Sequence, residues 1–380
     1  MSKSVFQHWF RWLASASATL LTFGVVPHAA SPVTGVPSKP TPVSAQSLTA
    51  QQLAGQRIIY SYTGLTPPST LIQRIEAGEA AGVIFFGDNI SNDTQIASVV
   101  QQLDQANAKS PVKEPLLLMT DQEGGEVRRL PGEPTQSEKT IGASSNPAGE
   151  ASTAGKDAGQ NLASVGMNLN LAPVLDVFRT PGDFDDEYQR SYSSNPNIAA
   201  SAGAAFVTAQ QQTGVAATVK HFPGLGAATA SENTDEVPVT LNVSLSDLRN
   251  IDELPYSSAI SAGVKLVMVS WAVYPALEPT YPAGLSSTIV QGELRNRLGF
   301  KGVTITDALE AGALQNFGTD SQRGVAAASA GMDLIMCASG QVSQGDDVEN
   351  GLAAALSGGQ LGSAAFTASV NRIAALRNGL

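Results

Sequence analysis

The stretch Thr288-Ile-Val-Gln-Gly-Glu-Leu-Arg-Asn-Arg-Leu298-Gly299-Phe-Lys301-Gly-Val-Thr-Ile-Thr306-Asp307 contains one complete unit of the fold. Its first part, 288–298, carries a helical pattern, and Gly299 stands where a helix C-cap is expected. Residues 301–306 follow as a short run of apolar and hydroxylated side chains, which predicts a strand buried on both faces. The run ends on a carboxylate, Asp307.

The same unit recurs on both sides. Candidate strands lie at 57–62, 82–86, 115–120, 168–172, 215–219, 265–271, 301–306 and 333–337. Helical patterns fall between them, as at 94–108, and two more close the chain at 347–356 and 364–376. Strands alternating with helices in this number predict an α/β fold, a single-domain (β/α)8 TIM-type barrel over residues 48–380. The alternative is a doubly wound open sheet. That fold would want a Gly-rich phosphate loop after an early strand, and neither GxGxxG nor a Walker A pattern occurs there.

Barrel enzymes place their chemistry at the C-terminal ends of the strands. Polar clusters fall at those points: Thr120-Asp121-Gln-Glu123, Pro173-Val-Leu-Asp176, Lys220-His221 and Thr306-Asp307. An Asp at a strand end can simply cap the next helix. Four clusters on one rim point instead to a site.

Composition narrows the chemistry. The chain has 380 residues, 42% of them hydrophobic, enough for a substantial core. Acidic residues outnumber basic ones 33 to 22, a formal charge of −11, which argues against a nucleic-acid partner. Three histidines, at 8, 28 and 221, are too few and too scattered for a histidine metal site, so no metal or cofactor is expected. The acidic run from Asp183 to Glu187 lacks a calcium-loop pattern and reads as a solvated loop. Cys337, the single cysteine, sits in an apolar run and reads as a core thiol.

The N-terminus carries Lys3 and Arg11, an apolar stretch over 13–26 and small residues around Ala29 and Ala30. This order predicts an export signal over 1–30, a flexible Pro/Ser/Thr-rich linker over 31–47 and a secreted protein. The apolar run is short for a stable membrane span, with an uncleaved anchor as the alternative. The sequence carries no mark of an oligomeric state.

The rim clusters extend into longer stretches: Thr120-Asp-Gln-Glu-Gly-Gly-Glu-Val-Arg-Arg129-Leu, Gly166-Met-Asn-Leu-Asn-Leu-Ala-Pro-Val-Leu-Asp176, Arg190-Ser-Tyr, Lys220-His-Phe-Pro-Gly224 and Leu298 to Asp307. On these the chain resembles glycoside hydrolase family 3, and within it the single-barrel β-N-acetylhexosaminidases. The resemblance covers about residues 57–337 and implies hydrolysis of terminal O-glycosidic bonds with retention. It implies Asp307 as the nucleophile, with Asp121, Arg129, Arg190, Lys220 and His221 binding a carbohydrate substrate. Asp176 reads as structural, and Glu123 with its two glycines as shaping the turn beneath the sugar.

The sequence departs from the family at the proton donor. There a loop after Lys-His-Phe-Pro-Gly carries an Asp-Ser-His triplet whose His and Asp act together. Here Ser231-Glu232-Asn233 stands approximately in its place, the loop has no histidine, and Leu225 lies between the glycines where a further His is usual. Three readings stay open: Asp235 or Glu232 donates the proton, the donor is missing and activity is slow, or the chain is an inactive secreted carbohydrate-binding barrel.

Overall fold

A computed structural model describes residues 48–380. The ten strands are β1 (Ile58–Tyr60), β2 (Gly82–Ile84), β3 (Leu117–Thr120), β4 (Gln122–Gly124), β5 (Val127–Arg128), β6 (Leu169–Asn170), β7 (Ala216–Phe222), β8 (Leu266–Val269), β9 (Val303–Ala308) and β10 (Leu334–Met336). Eight of them close a parallel barrel in the order β1-β10-β9-β8-β7-β6-β3-β2, while β4 and β5 form a separate antiparallel hairpin. Each expected strand is a barrel strand, and closure excludes the open-sheet alternative.

The strands read as continuous apolar runs because both faces are covered. Alternate residues such as Ile59, Met119, Leu169, Leu266, Ile305 and Leu334 pack with one another in one buried cluster. Their neighbours Ile58, Leu118, Val267 and Ile335 join the larger cluster that includes the helices. Burying each such side chain contributes about 1.5–3 kcal/mol.

The helix Asp93–Lys109 shows how a covering helix is specified. Asn92 caps it by accepting from the Gln95 amide at 2.9 Å. Ile96, Val99, Val100, Leu103 and Ala106 form its buried stripe. The segment Thr288–Arg297 is helical as expected but winds as a π-helix, its last amide, on Leu298, bonding back to Glu293. That winding puts Glu293 in the buried stripe with Ile289, Val290 and Leu294, where Arg249 pairs with it at 2.7 Å. Gly299 follows at φ 74°, the left-handed conformation that ends the helix.

The helix-cap alternative for Asp307 falls, since β9 runs on to Ala308 and no helix begins directly after the carboxylate. The run from Asp183 to Glu187 is not a solvated loop either. Asp183, Asp185 and Asp186 are buried, because they bind donors the sequence places far away or just upstream. Asp183 accepts from the amides of Arg179 and Thr180, Asp186 from Lys139, and Asp185 from Arg190. Trp271 is core, with its indole N–H donated to the Ala308 carbonyl at 2.9 Å. Cys337 is buried as expected. The expected export signal and linker, 1–30 and 31–47, lie outside the described residues. Among the described residues no helix is long and apolar enough to cross a membrane.

Candidate active site

A cavity of about 430 Å³ opens at the C-terminal ends of the barrel strands. It brings together Asp121, Arg129, Arg190, Lys220, His221, Asp235 and Asp307. Glu232 is not among its lining residues. Its carboxylate turns back into its own loop, accepting from the Thr229 amide and hydroxyl at 2.8 and 2.9 Å.

Asp121 follows β3 and Asp307 lies on β9, four places apart round the eight-strand ring in either direction. The two carboxylates therefore face the cavity from opposite sides. Asp121 accepts from Lys220 Nζ at 2.6 Å, and Lys220 also reaches Glu123 at 2.8 Å. Glu123, on the β4–β5 hairpin, takes a two-pronged contact from Arg190 Nε and Nη2, each at 3.0 Å. The third arm of Arg190 is held by Asp185 at 2.8 Å. Gly124 and Gly125 let the hairpin turn, at φ 117° and 55°. Glu123 thus does more than shape a turn, since it fixes two cations that face the cavity.

These are charges buried in pairs, as burial requires. Burial pulls the Glu123 carboxyl upward, but Arg190 and Lys220 win and hold it at about 2. Burial would lower Lys220, and Asp121 and Glu123 raise it instead. The set presents fixed donors and acceptors to a hydroxylated ligand.

His221 lies beside Lys220 on β7, with Nδ1 2.7 Å from Asp176 Oδ2. Asp176 also accepts from the Leu225 amide at 2.6 Å, so it is tied to the loop backbone as the sequence reading held. Burial opposes a charge on His221, but Asp176 raises its pKa. Asp176, Asp185 and His221 bring one ligand atom each within 4.8 Å of one another and could hold a metal ion. Arg190 already supplies positive charge at Asp185, and the close His221–Asp176 contact lies within the same group.

The loop after β7 leaves the rim beside Lys220 yet delivers Asp235 next to β9. It is pinned there by the backbone. Asp235 and Thr234 carbonyls accept from the amides of Gly312 and Ala313 at 2.8 and 3.0 Å. A Cβ on Gly312 would meet the Glu236 carbonyl at 2.1 Å, so only glycine permits this approach. Desolvation, and then the negative charge of Asp307, push the Asp235 carboxyl up to about 7. A carboxyl raised towards neutrality beside a second carboxyl in one cavity is the pattern of an acid paired with a nucleophile.

The cavity also contains Glu310, Phe184 and Tyr188, which sequence reasoning did not single out. Glu310 stands three residues beyond Asp307 on the same rim, and that proximity was its available signal. Phe184 and Tyr188 meet edge to face at 5.7 Å within the acidic run.

The family model for the glycosyl hydrolase family 3 N terminal domain matches residues 53–376. An "uncharacterized secreted glycosyl hydrolase" of Arthroderma benhamiae is 48% identical over 329 residues, 86% of this chain and 93% of the relative. A β-hexosaminidase of Xanthomonas campestris is 32% identical over 266 residues, 67% of this chain and 76% of the relative. Among solved structures, a family 3 β-N-acetylglucosaminidase from Paenibacillus sp. superposes with TM-score 0.83 at 34% identity. That match covers 88% of this chain and 63% of that one, so the chain spans less than two thirds of that enzyme. A β-N-acetylhexosaminidase from Beutenbergia cavernae gives TM-score 0.80 at 29% identity, over 87% of this chain and 99% of that one. The chain belongs to glycosyl hydrolase family 3.

Proposed function

We propose that the protein hydrolyses terminal β-N-acetylhexosaminides with retention of configuration, using Asp307 as nucleophile and Asp235 as acid/base. The observation that carries this reading is the placement of the two carboxyls in one cavity, with Asp235 held near neutrality by desolvation and by Asp307. Retaining hydrolysis needs one carboxylate to attack the anomeric carbon and one acid to protonate the leaving oxygen. Asp235 can fill the second role at neutral pH without the histidine that the family places in this loop. Glu232 is not among the residues that line the cavity, which favours Asp235 of the two loop carboxylates.

In this mechanism Asp121, Lys220, Arg190, Arg129 and His221 grip the hydroxyls of the terminal sugar. Asp307 attacks the anomeric carbon while Asp235 gives its proton to the departing oxygen. Asp235, now a carboxylate, then takes a proton from water as that water displaces Asp307. The N-acetyl preference is supported by the names of the β-hexosaminidase and β-N-acetylglucosaminidase relatives.

Turnover of a panel of aryl β-glycosides, with and without a 2-acetamido group, tests the reading. Asp307→Ala should abolish turnover while leaving folding and sugar binding intact. Saturable binding in calorimetry with no turnover by the unaltered chain would mean a carbohydrate-binding barrel instead.

Secretion belongs to the same proposal. Residues 1–30 would act as an export signal and 31–47 as a linker, in keeping with the secreted Arthroderma relative. N-terminal sequencing of the mature protein should start between about residues 29 and 46. A start at Met1 on a cytoplasmic protein would contradict it.

A further inference from the structure

The Asp121–Lys220–Arg190 set and the Asp307–Asp235 pair account for only part of the cavity. The wall past the ends of β9, β10, β1 and β2 includes Glu310, Ser339, Tyr62, Asp88 and Asn89. Its chemistry differs from that of the rest. The lysine, arginines and histidine that line the cavity are Arg129, Arg190, Lys220 and His221. They follow β5, lie between β6 and β7, or belong to β7 itself. Among the described lining residues, the β9–β10–β1–β2 wall has no cation and, besides Asp307, two carboxyl groups, Asp88 and Glu310.

Glu310 is a carboxyl of that wall fixed by its hydrogen bonds. Its Oε2 accepts from the Ala338 amide and from Gln344 Nε2, each at 3.2 Å, which ties the half-buried side chain to the end of β10. Asp307 sits at the strand end, whereas Glu310 and Ser339 come three residues past Asp307 and past Met336, the last residue of β10. Both belong to loops beyond the strand ends.

We propose that this wall is a leaving-group subsite in which Glu310 holds a neutral hydroxylated sugar and disfavours one that carries a carboxylate. The inference rests on the reading of Asp307 as nucleophile. A terminal sugar gripped from the β3 and β7 side places its anomeric carbon at Asp307. Its leaving oxygen then departs from the face opposite Asp307, past Asp235 and towards the mouth. The remaining wall there is the one that carries Glu310. Burial pushes the Glu310 carboxyl up to about 7, so near neutrality it offers both a proton donor and an acceptor to a sugar hydroxyl. Among the described lining residues this wall offers no cation to a carboxylate on the leaving sugar.

The test compares kcat/KM for three substrates: an aryl N-acetyl-β-glucosaminide, a neutral β-linked N-acetylated disaccharide, and the same disaccharide with a carboxylate on its leaving sugar. Glu310→Ala should lower the ratio of neutral disaccharide to aryl glycoside by about tenfold, the loss of one good hydrogen bond. Glu310→Gln keeps a donor and an acceptor, so that ratio should hold within about twofold. The same variant removes the charge and should narrow the preference for the neutral over the carboxylated disaccharide. Equal falls on disaccharide and aryl glycoside in Glu310→Ala, or an unaltered carboxylate preference in Glu310→Gln, would overturn the proposal. An unaltered chain that cleaves none of the three substrates removes the glycosidase reading separately. Calorimetry then decides on Glu310: Glu310→Ala must weaken disaccharide binding more than monosaccharide binding, and equal weakening overturns the subsite.

Discussion

Asp333 at the N-terminal end of this barrel and the pair Asp235 and Glu310 at its C-terminal end are carboxyls held in opposite ways. At the N-terminal end Asp333, just ahead of β10, is saturated with donors. It accepts from Arg295 at 2.6 Å, Arg372 at 2.7 Å, Ser369 at 2.7 Å and the Thr304 amide at 3.0 Å. Burial would raise its carboxyl, but the arginines and these hydrogen bonds hold it below the usual range. At the C-terminal end Asp235 and Glu310 face a cavity, and burial moves both up to about 7. One end uses charge to lock the closing helix Ser363–Arg377 onto the sheet. At the other, Asp235 and Glu310 keep protons available beside the ionised Glu123. The difference separates stability from chemistry along one axis of the fold, in line with the general division of labour in such barrels.

The sharpest way to break that comparison is to remove one carboxylate from each end. Asp235→Ala should slow hydrolysis of unactivated glycosides by on the order of 10²–10⁴-fold, the usual contribution of a general acid. Nitrophenyl glycosides need less protonation and should lose much less in the first step, and azide should rescue the second. Melting temperature should fall little. Asp333→Ala should do the reverse and cost about 3 kcal/mol of stability, because Arg295 and the partly exposed Arg372 lose their shared partner. Denaturant unfolding checks it, and the folded fraction should keep its kcat.

The pH dependence sharpens the comparison. Asp235 acts as an acid only while protonated, so kcat/KM on unactivated substrates should fall as pH rises through about 7. Its folded value lies above the ordinary 3.8, so the folded state holds more protons between those limits. Its contribution to stability therefore declines as pH rises across that window. Asp333 runs the other way: its contribution is full above the unfolded value and is lost as pH falls through the depressed folded one. Relative to the unaltered chain, Asp235→Asn should gain more melting temperature at pH 8 than at pH 4. Asp333→Asn should lose more at pH 7 than at pH 3. Identical pH profiles for both variants would erase the distinction.

The smallest effect is expected at Glu232. It lies outside the cavity and bonds only within its own turn, so Glu232→Ala should change kcat/KM by no more than about twofold.

Which parts were legible in the sequence follows from how local each signal is. Every barrel strand could be read because burial on both faces forces a continuous apolar run, as in Leu266 to Val269. The β4–β5 hairpin could not, since Gln122, Glu123 and Gly124 are polar or small and pair only through a glycine turn. The rim positions of Asp121, Lys220 and Asp307 were readable because each directly follows or ends an apolar run. Their electrostatics were not. Glu123 meets Arg190 from 67 residues away, and no local pattern encodes that pair. The acidic run at Asp183 to Glu187 looked solvated for the same reason, as its donors come from Arg179, Lys139 and the fold. Choosing Asp235 over Glu232 required the contact between the loop and Gly312, which sequence spacing does not contain.

The central claim is that Asp307 forms the covalent bond to the sugar. Incubation with a 2-deoxy-2-fluoro β-glycoside bearing a good leaving group slows the second step and should trap that intermediate. Peptide mass mapping should then find the added sugar on the peptide that contains Asp307, with no label on the Asp307→Ala variant. A label on Asp121, Asp235 or Glu310 would contradict the account.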